Sequence, residues 1–307
     1  MIFYSIYFMA KEASYAFDRM GNVAIVKFSR ETRTAEKKKF ANKLLKDNKS
    51  ITTVLEKTGK FKGRLRKQAT KYLAGKKTKE VLYKENGCVF RFNVDSTYFS
   101  PRLSNERKEI AGKVRKGENV LVMFAGVAPF SVVIAKNSKA GKVYSNEINR
   151  EANKYAKLNL ELNKLKEGVI LLPGDIKKIS EKLVKFNPTR PTQKLDSLQS
   201  RSHINKLLKS KIRASDNERV IPKNFDVIVM PRPQLKDSFL KEAFSLSKKG
   251  TRIFYYDFCK EDEKKMILEK IKMEARKARK KIKVLGMKNA GEIAPYKFRV
   301  RVDFRVL

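Results

Sequence analysis

Val120-Leu-Val-Met-Phe-Ala-Gly-Val-Ala-Pro-Phe130 runs from a continuous apolar stretch, through small residues, into a segment opened by proline. An unbroken apolar run of this kind marks a strand covered on both faces, as in a parallel sheet. Ala125-Gly126 supplies a tight turn, and Pro129 stands near the start of a helix, where its missing N–H costs least. Strand, turn and helix in that order form the first unit of a Rossmann-like sheet, whose ligands sit at the carboxyl ends of the strands. Gly126 would let a ligand approach the backbone, although a plain tight turn accounts for the same residue.

Working downstream, Val143–Ser145 reads as a second strand, followed by a helix from Arg150 to about Asn163 with Asn149 as its N-cap. Gly168–Leu172 is the third strand and ends at Pro173-Gly174-Asp175. The pattern lapses over residues 187–224, which carry Pro188, Pro191, Pro222 and many cations, among them Arg201 and Lys209. So long a structureless stretch is unusual in a compact domain, and it reads as an insertion with one helix near Ser202–Lys209. Alternation resumes with strand Asp226–Met230, helix Gln234–Leu246, strand Thr251–Phe258 and the charged helix Glu261–Lys281. In Tyr296–Val306, Phe298, Val300, Val302, Phe304 and Val306 share one face, while Lys297, Arg299, Arg301 and Arg305 share the other. This predicts a half-buried strand with a basic outer face.

Upstream, Arg102–Val114 reads as a helix. Before it, Val23–Phe28 and Ile51–Leu55 look like strands, and Glu36–Asp47 like a helix. Asn86-Gly87 marks a hairpin turn between Val81–Tyr83 and Cys88–Val94. The expected architecture is α/β, with a small basic α+β domain over residues 1–94 and a Rossmann-like domain over 95–307.

Charge narrows the partners. Lys and Arg number 72 against 32 Asp and Glu, a net charge of +40. Self-repulsion on that scale disfavours compaction unless a polyanion relieves it, and nucleic acid is the first candidate. A thermophile-type enrichment in Lys and Glu together would leave the balance nearer neutral. No stretch of about 18 apolar residues exists, and the cations do not gather on one short amphipathic segment, so no membrane partner is expected. Met1–Ala10 is apolar but lacks a basic leader and a cleavage site, which argues against a signal peptide. Cys88 and Cys259 match no metal spacing, so no metal site is expected, and both thiols suit a reducing cytoplasm. The one histidine, His203, lies in the insertion and receives no catalytic role.

Three strand ends carry candidate ligand contacts. Phe124, Ala125 and Gly126 follow the first strand; Glu147, Ile148 and Asn149 the second; Asp175 and Ile176 the third. An acid at the second strand end, roughly 20 residues past the glycine turn, can accept from ribose hydroxyls. Asp175 suits an adenine edge, or simply a turn after Gly174. No glycine run cradles a phosphate, so the expected cofactor is a nucleoside without phosphates, and S-adenosylmethionine fits best. Just before the first strand, Tyr98, Phe99, Pro101, Arg102, Glu106 and Arg107 are packed into ten residues. Arg102 and Glu106 share a helical face, either as a surface ion pair or as part of a site.

That run, Tyr98-Phe-Ser-Pro-Arg-Leu-Ser-Asn-Glu-Arg107, together with Gly117-Glu118 and Met123-Phe-Ala-Gly-Val-Ala-Pro-Phe130, resembles the archaeal and eukaryotic tRNA (guanine(37)-N1) methyltransferases. Phe17-Asp-Arg-Met-Gly-Asn-Val-Ala-Ile25, Leu73-Ala-Gly75 and Lys84-Glu-Asn-Gly87 fall where that family has similar stretches. The likeness covers roughly Tyr15 to Leu172 and resumes over Asp226–Phe258. It implies a class I methyltransferase, with Glu106 as general base, Arg66 stabilising charge on the guanine oxygen (Arg64 the fallback), and Tyr98 holding cofactor or base. Arg107 and Pro231 complete the expected cofactor contacts, and Arg64, Lys67, Arg102, Arg201 and Lys209 the expected RNA contacts. The expected partner is tRNA, bound by a monomer. The likeness starts near residue 15, so the family's separate N-terminal recognition domain is expected to be missing, and the insertion and basic face are expected to grip tRNA instead.

The sequence departs from the family at Val122, where an Asp is usual, at Ala128 for Gly, at Glu147 for Asp, and at Pro231-Arg-Pro233 for Asn-Leu-Pro. The expected reaction is methylation of N1 of guanosine 37. The changed Pro231 segment keeps open C7 methylation of the wyosine precursor imG2 at the same position, alone or in addition. Glu147 leans toward the related aminocarboxypropyl transferases, against which the Ser-Pro-Arg-Leu run weighs. A non-catalytic tRNA-binding protein is the remaining reading.

Overall fold

The computed structural model describes residues 15–59, 63–185, 221–231 and 237–307. β1 (Phe17–Met20), β2 (Val23–Val26), α1 (Thr34–Asp47), β3 (Thr53–Lys57) and β4 (Thr70–Gly75) come first. Their strands form one sheet in chain order, with β2 and β3 parallel across the α1 connection. α1 buries Ala41 and Leu44 against this sheet, where Ala24, Val26, Val54 and Leu73 meet them. β4 lies inside Lys57–Lys79, a stretch rich in Lys and Arg whose charges hide the apolar Leu73 and Ala74.

β5 (Glu80–Glu85) and β6 (Cys88–Asn93) pair antiparallel. Asn86 and Gly87 both take positive φ, +49° and +71°, the turn that matches the strands' twist. A 3-10 turn at Pro101–Leu103 leads into α2 (Ser104–Lys113), so the expected helix begins tighter than α-helical. Then follow β7 (Asn119–Val122), α3 (Pro129–Asn137), β8 (Lys142–Glu147), α4 (Arg150–Leu162), β9 (Val169–Pro173) and α5 (Ile176–Lys185). β10 (Phe225–Met230), α6 (Leu240–Ser245), β11 (Ser247–Cys259), α7 (Lys264–Lys277), β12 (Ile282–Ala294) and β13 (Lys297–Val306) close the chain.

The main sheet has the order β12-β13-β11-β10-β7-β8-β9. β9, β8, β7, β10 and β11 run parallel, while at one edge β13 pairs antiparallel with β11 and β12 pairs antiparallel with β13. The chain winds outward from β7 through β8 to β9, then restarts on β7's other side with β10. That reversal opens a crevice at the carboxyl ends of β7 and β10, where ligands bind in such sheets. The Rossmann-like expectation therefore holds.

α4 joins the hairpin to this sheet through asparagines. Asn159 Oδ1 accepts from Arg91 N at 2.7 Å, and Asn163 exchanges bonds with Val89 N (2.9 Å) and Val89 O (2.7 Å). The exposed backbone edge of β6 is thereby satisfied. Asn159 Nδ2 also donates to Val127 O at 3.0 Å, fixing the loop after β7. One core runs from Val23 and Leu55 through Phe90 and Phe92 to Val122 and Phe254, so residue 94 marks no gap in the packing.

Several elements differ from expectation. The helix foreseen from Gln234 starts at Leu240 among the described residues, because Phe239 takes φ +56° and a left-handed residue cannot sit inside a helix. α5 and β12 were not foreseen; Gly286, Gly291 and repeated register shifts break the alternation of β12. β13 is not half-buried: Arg299 and Arg301 are 8% and 2% exposed, because Arg301 meets the carboxylates of α2 while Arg299 packs against Tyr98 and Phe258 in the cleft lining. Most of the insertion, including Arg201, His203 and Lys209, lies outside the described residues.

Ala128 precedes α3 with φ +67°, a conformation that costs an L-residue about 1–2 kcal/mol. Ala128→Gly is expected to raise stability by about 1 kcal/mol despite glycine's larger unfolded-state entropy. Chemical denaturation measures this; an unchanged or lower midpoint would show that the strain is absent.

Candidate active site

The crevice at the strand ends is a cleft of about 880 Å³, open to solvent. On one side it is walled by the ends of β8 and β9. There Glu147 Oε2 accepts from Gly126 N and Oε1 from Asn149 N, both at 2.7 Å. Burial pushes Glu147 above its ordinary pKa, and the N–H groups of Asn149, Gly126 and Ile148 oppose that shift. Asn149 caps α4, accepting from Glu151 N at 3.0 Å, and donates to Ser96 O at 2.9 Å. Asn146 Nδ2 bridges Leu172 O and Gly174 O at 2.8 and 2.9 Å, tying β8 to the turn after β9. Ile148, Ile176, Phe124, Gly126 and Pro231 complete this side. A Cβ on Gly126 would lie 3.3 Å from Tyr98 O, so the glycine keeps that approach open.

The opposite wall comes from the basic loop before β4, the segment before α2, and β11 and β13. Arg66 lies with its guanidinium 4.3 Å from the centroid of the Tyr98 ring. Both line the cleft, with Arg64, Tyr256, Phe258 and Arg299. Arg64 reaches across and pairs with Asp175 at 3.0 Å. Burial raises the Asp175 pKa, but the Lys177 N–H and Arg64 outweigh it and hold the carboxyl below its ordinary value.

Some foreseen contacts lie elsewhere. Arg107 does not face the cleft: it is 1% exposed, forms a two-pronged pair with Glu85, and stands over the rings of Phe99 and Phe130. A buried guanidinium needs its own carboxylate, and the hairpin provides one. Ala125 is buried behind the lining and donates to Asn146 O at 2.8 Å. Asp175 stands beside the lining, engaged by Arg64. Lys67 and Arg102 are exposed.

Glu106 also lies one layer behind the wall. Its Oε2 accepts from the Tyr256 hydroxyl at 2.8 Å and from Arg301 at 2.6 Å, while Lys288 reaches Oε1 at 2.7 Å. Arg102, four residues earlier, is not its partner. Arg301 further engages Glu109 at 2.6 Å and Asp303 at 2.6 Å. Burial, then the Glu106 charge, pushes the Tyr256 hydroxyl well above its ordinary pKa, so it stays protonated and donates. Sequence reading missed Tyr256, Lys288, Arg299 and Arg301. The only signal was the arginine spacing in β13, which reads equally as a solvated face.

Among the described residues no cluster suited to a metal ion occurs, and no helix is long and apolar enough to cross a membrane. Residues 81–188 match the TRM5/TYW2 methyltransferase domain, and residues 9–78 the TYW2 N-terminal domain. The chain is 32% identical to the tRNA (guanine(37)-N(1))/4-demethylwyosine(37)-methyltransferase Taw22 of Nanoarchaeum equitans, over 95% of this chain and 100% of the relative. It is 31% identical to the tRNA (guanine(37)-N(1))-methyltransferase Trm5b of Pyrococcus abyssi, over 95% of this chain and 74% of that one. The crystal structure of that Trm5b superposes with a TM-score of 0.72 at 29% identity, covering 95% of this chain and 74% of the other.

Proposed function

Because the chain belongs to the TRM5/TYW2 methyltransferase family, we propose that it transfers a methyl group from S-adenosylmethionine to N1 of the guanosine at position 37 of tRNA. The observation that carries this reading is one cleft with two unlike walls. A polar, nucleoside-suited wall at the ends of β8 and β9 faces an Arg66–Tyr98 stack backed by a buried carboxylate.

The cleft fits the donor by its own chemistry. Glu147, Ile148, Asn149 and Ile176 would hold the nucleoside, with Gly126 beside them in the lining. Bound there, S-adenosylmethionine supplies an electrophilic methyl group. Every other requirement falls to the protein. A guanine must leave its stack to enter, and the Tyr98 ring with the Arg66 guanidinium offers a replacement surface. The N1 proton is weakly acidic, so its removal needs both an acceptor and a cation near O6. Arg66 supplies the cation. Glu106 is the acceptor, and Tyr256 joins it to the cleft: its hydroxyl passes a proton to Glu106 as it takes one from N1.

A second reading is favoured by the full-length likeness to Taw22, whose name carries two activities. Methylation of 4-demethylwyosine at the same position would use the same donor wall. Arg64, Lys67 and Arg102 would contact the RNA, with Arg201 and Lys209 from the insertion, and the N-terminal sheet would position it. The reading places a monomer in the cytoplasm with tRNA as partner.

Binding driven by so large a positive charge releases many counterions. The affinity for tRNA is expected to fall by about 10³ or more between 50 and 200 mM salt. Filter binding across that range measures the slope, and a flat response would remove the electrostatic grip. The enzymatic reading itself is tested by methyl transfer onto a tRNA transcript, as set out below.

A further inference from the structure

β13 carries two buried arginines with opposite circumstances. Arg301 is enclosed by Glu106, Glu109 and Asp303. Arg299, two residues earlier on the same face, is 8% exposed and lines the cleft, yet among the described residues no carboxylate pairs with it. Its contacts are the Tyr98 hydroxyl, to which it donates, and the Phe258 ring, 5.3 Å from its guanidinium carbon. Burial therefore pulls Arg299 below the usual arginine value, and the Tyr98 contact only partly opposes this. Arg66 lies over the same Tyr98 ring, so two guanidiniums flank one phenol at one end of the cleft. A guanidinium withdrawn from water without a counter-charge is costly to keep, unless a ligand supplies the charge. Its planar fork matches a carboxylate or phosphate with two parallel N–H groups.

We propose that Arg299 is the oxyanion-binding residue of the cleft, receiving an anionic group of the bound reactants beside Tyr98. The inference rests on the methyl-transfer reading. Two oxyanions reach such a cleft: the carboxylate on the amino-acid end of the methyl donor, and the phosphate of a nucleotide turned out of its stack. Both demand the same fork, and they separate in solution.

The test uses the full chain and three variants, Arg299→Met, Arg299→Lys and Arg299→Gln, with thermal unfolding to verify that each folds. Calorimetry measures binding of S-adenosylhomocysteine, which keeps the carboxylate, and of methylthioadenosine, which lacks it. Filter binding measures tRNA. Wild-type protein that binds neither S-adenosylhomocysteine nor tRNA would sink the methyl-transfer reading on which the inference stands. Given wild-type binding, a carboxylate partner predicts that Arg299→Met and Arg299→Gln lose about tenfold or more in S-adenosylhomocysteine affinity, with methylthioadenosine unchanged. A phosphate partner predicts unchanged S-adenosylhomocysteine binding, weaker tRNA binding, and a salt slope lower by about one. In either case Arg299→Lys, which keeps the charge without the fork, falls between wild type and methionine. Folded variants with wild-type affinity for both ligands overturn the proposal.

Discussion

Glu106→Gln is expected to lower the single-turnover rate of methyl transfer by about two to four orders of magnitude while tRNA affinity changes less than about twofold. The glutamine has the carboxylate's shape but cannot take a proton. It sits buried behind the cleft wall, so binding should not register the change. The fold should survive, because Arg301 keeps Glu109 and Asp303. Losing one charge-assisted contact costs about 1–3 kcal/mol, visible as a lower unfolding midpoint. Rates and unfolding curves measured together separate the two effects. A variant as active as wild type would remove Glu106 from the mechanism, and with it the Tyr256 link.

Arg301→Met is expected to be the most destabilising single change, costing about 3–5 kcal/mol. Arg301 is the hub of the network: removing it leaves Glu106, Glu109 and Asp303 crowded together, with Lys288 and Lys113 as the remaining cations. A melting point lower by roughly 6–20 °C follows for a chain of this size. Arg102→Met, at an exposed position, is the control and should stay within about 0.5 kcal/mol. The pH dependence carries the same signature. The hydrogen bond from Arg301 first, then Lys288 and Lys113, holds Glu109 far below the usual carboxylate range against the cost of burial. A depressed carboxylate contributes stability that is complete above its unfolded pKa of about 4.3 and lost as pH falls. Wild type should therefore weaken on acidification below that point, and the variant should weaken less. A variant as stable as wild type at neutral pH would mean that the carboxylates find water or other cations.

The wall at the strand ends was legible in the sequence because it is local. Gly126, Glu147 with Ile148 and Asn149, and Ile176 each follow a strand whose apolar run announces it, and parallel strands bring their ends together by construction. The N-cap at Asn149 and the turn at Asn86-Gly87 were legible for the same reason: backbone geometry there is set by one or two residues. The other wall was not, because its partners come from distant segments. Glu106 meets Arg301, 195 residues away, and Tyr256, 150 residues away. Nothing in the alternation of β13 says whether its polar face meets water or a helix bearing carboxylates. Arg107 shows the converse: its neighbours in sequence suggested a cofactor contact, but its partner Glu85 lies on a hairpin stacked from the other side. α5 was obscured by its place beside the insertion, and β12 by its glycines.

The central claim is that this cleft methylates N1 of the guanosine at position 37. Its most direct test is incubation of the full chain with labelled S-adenosylmethionine and two tRNA transcripts, one carrying G and the other A at position 37, followed by nucleoside mass spectrometry. The account predicts N1-methylguanosine from the G transcript and no product from the A transcript. Label on neither transcript, from protein that binds S-adenosylhomocysteine and tRNA, or equal label on both, would contradict it.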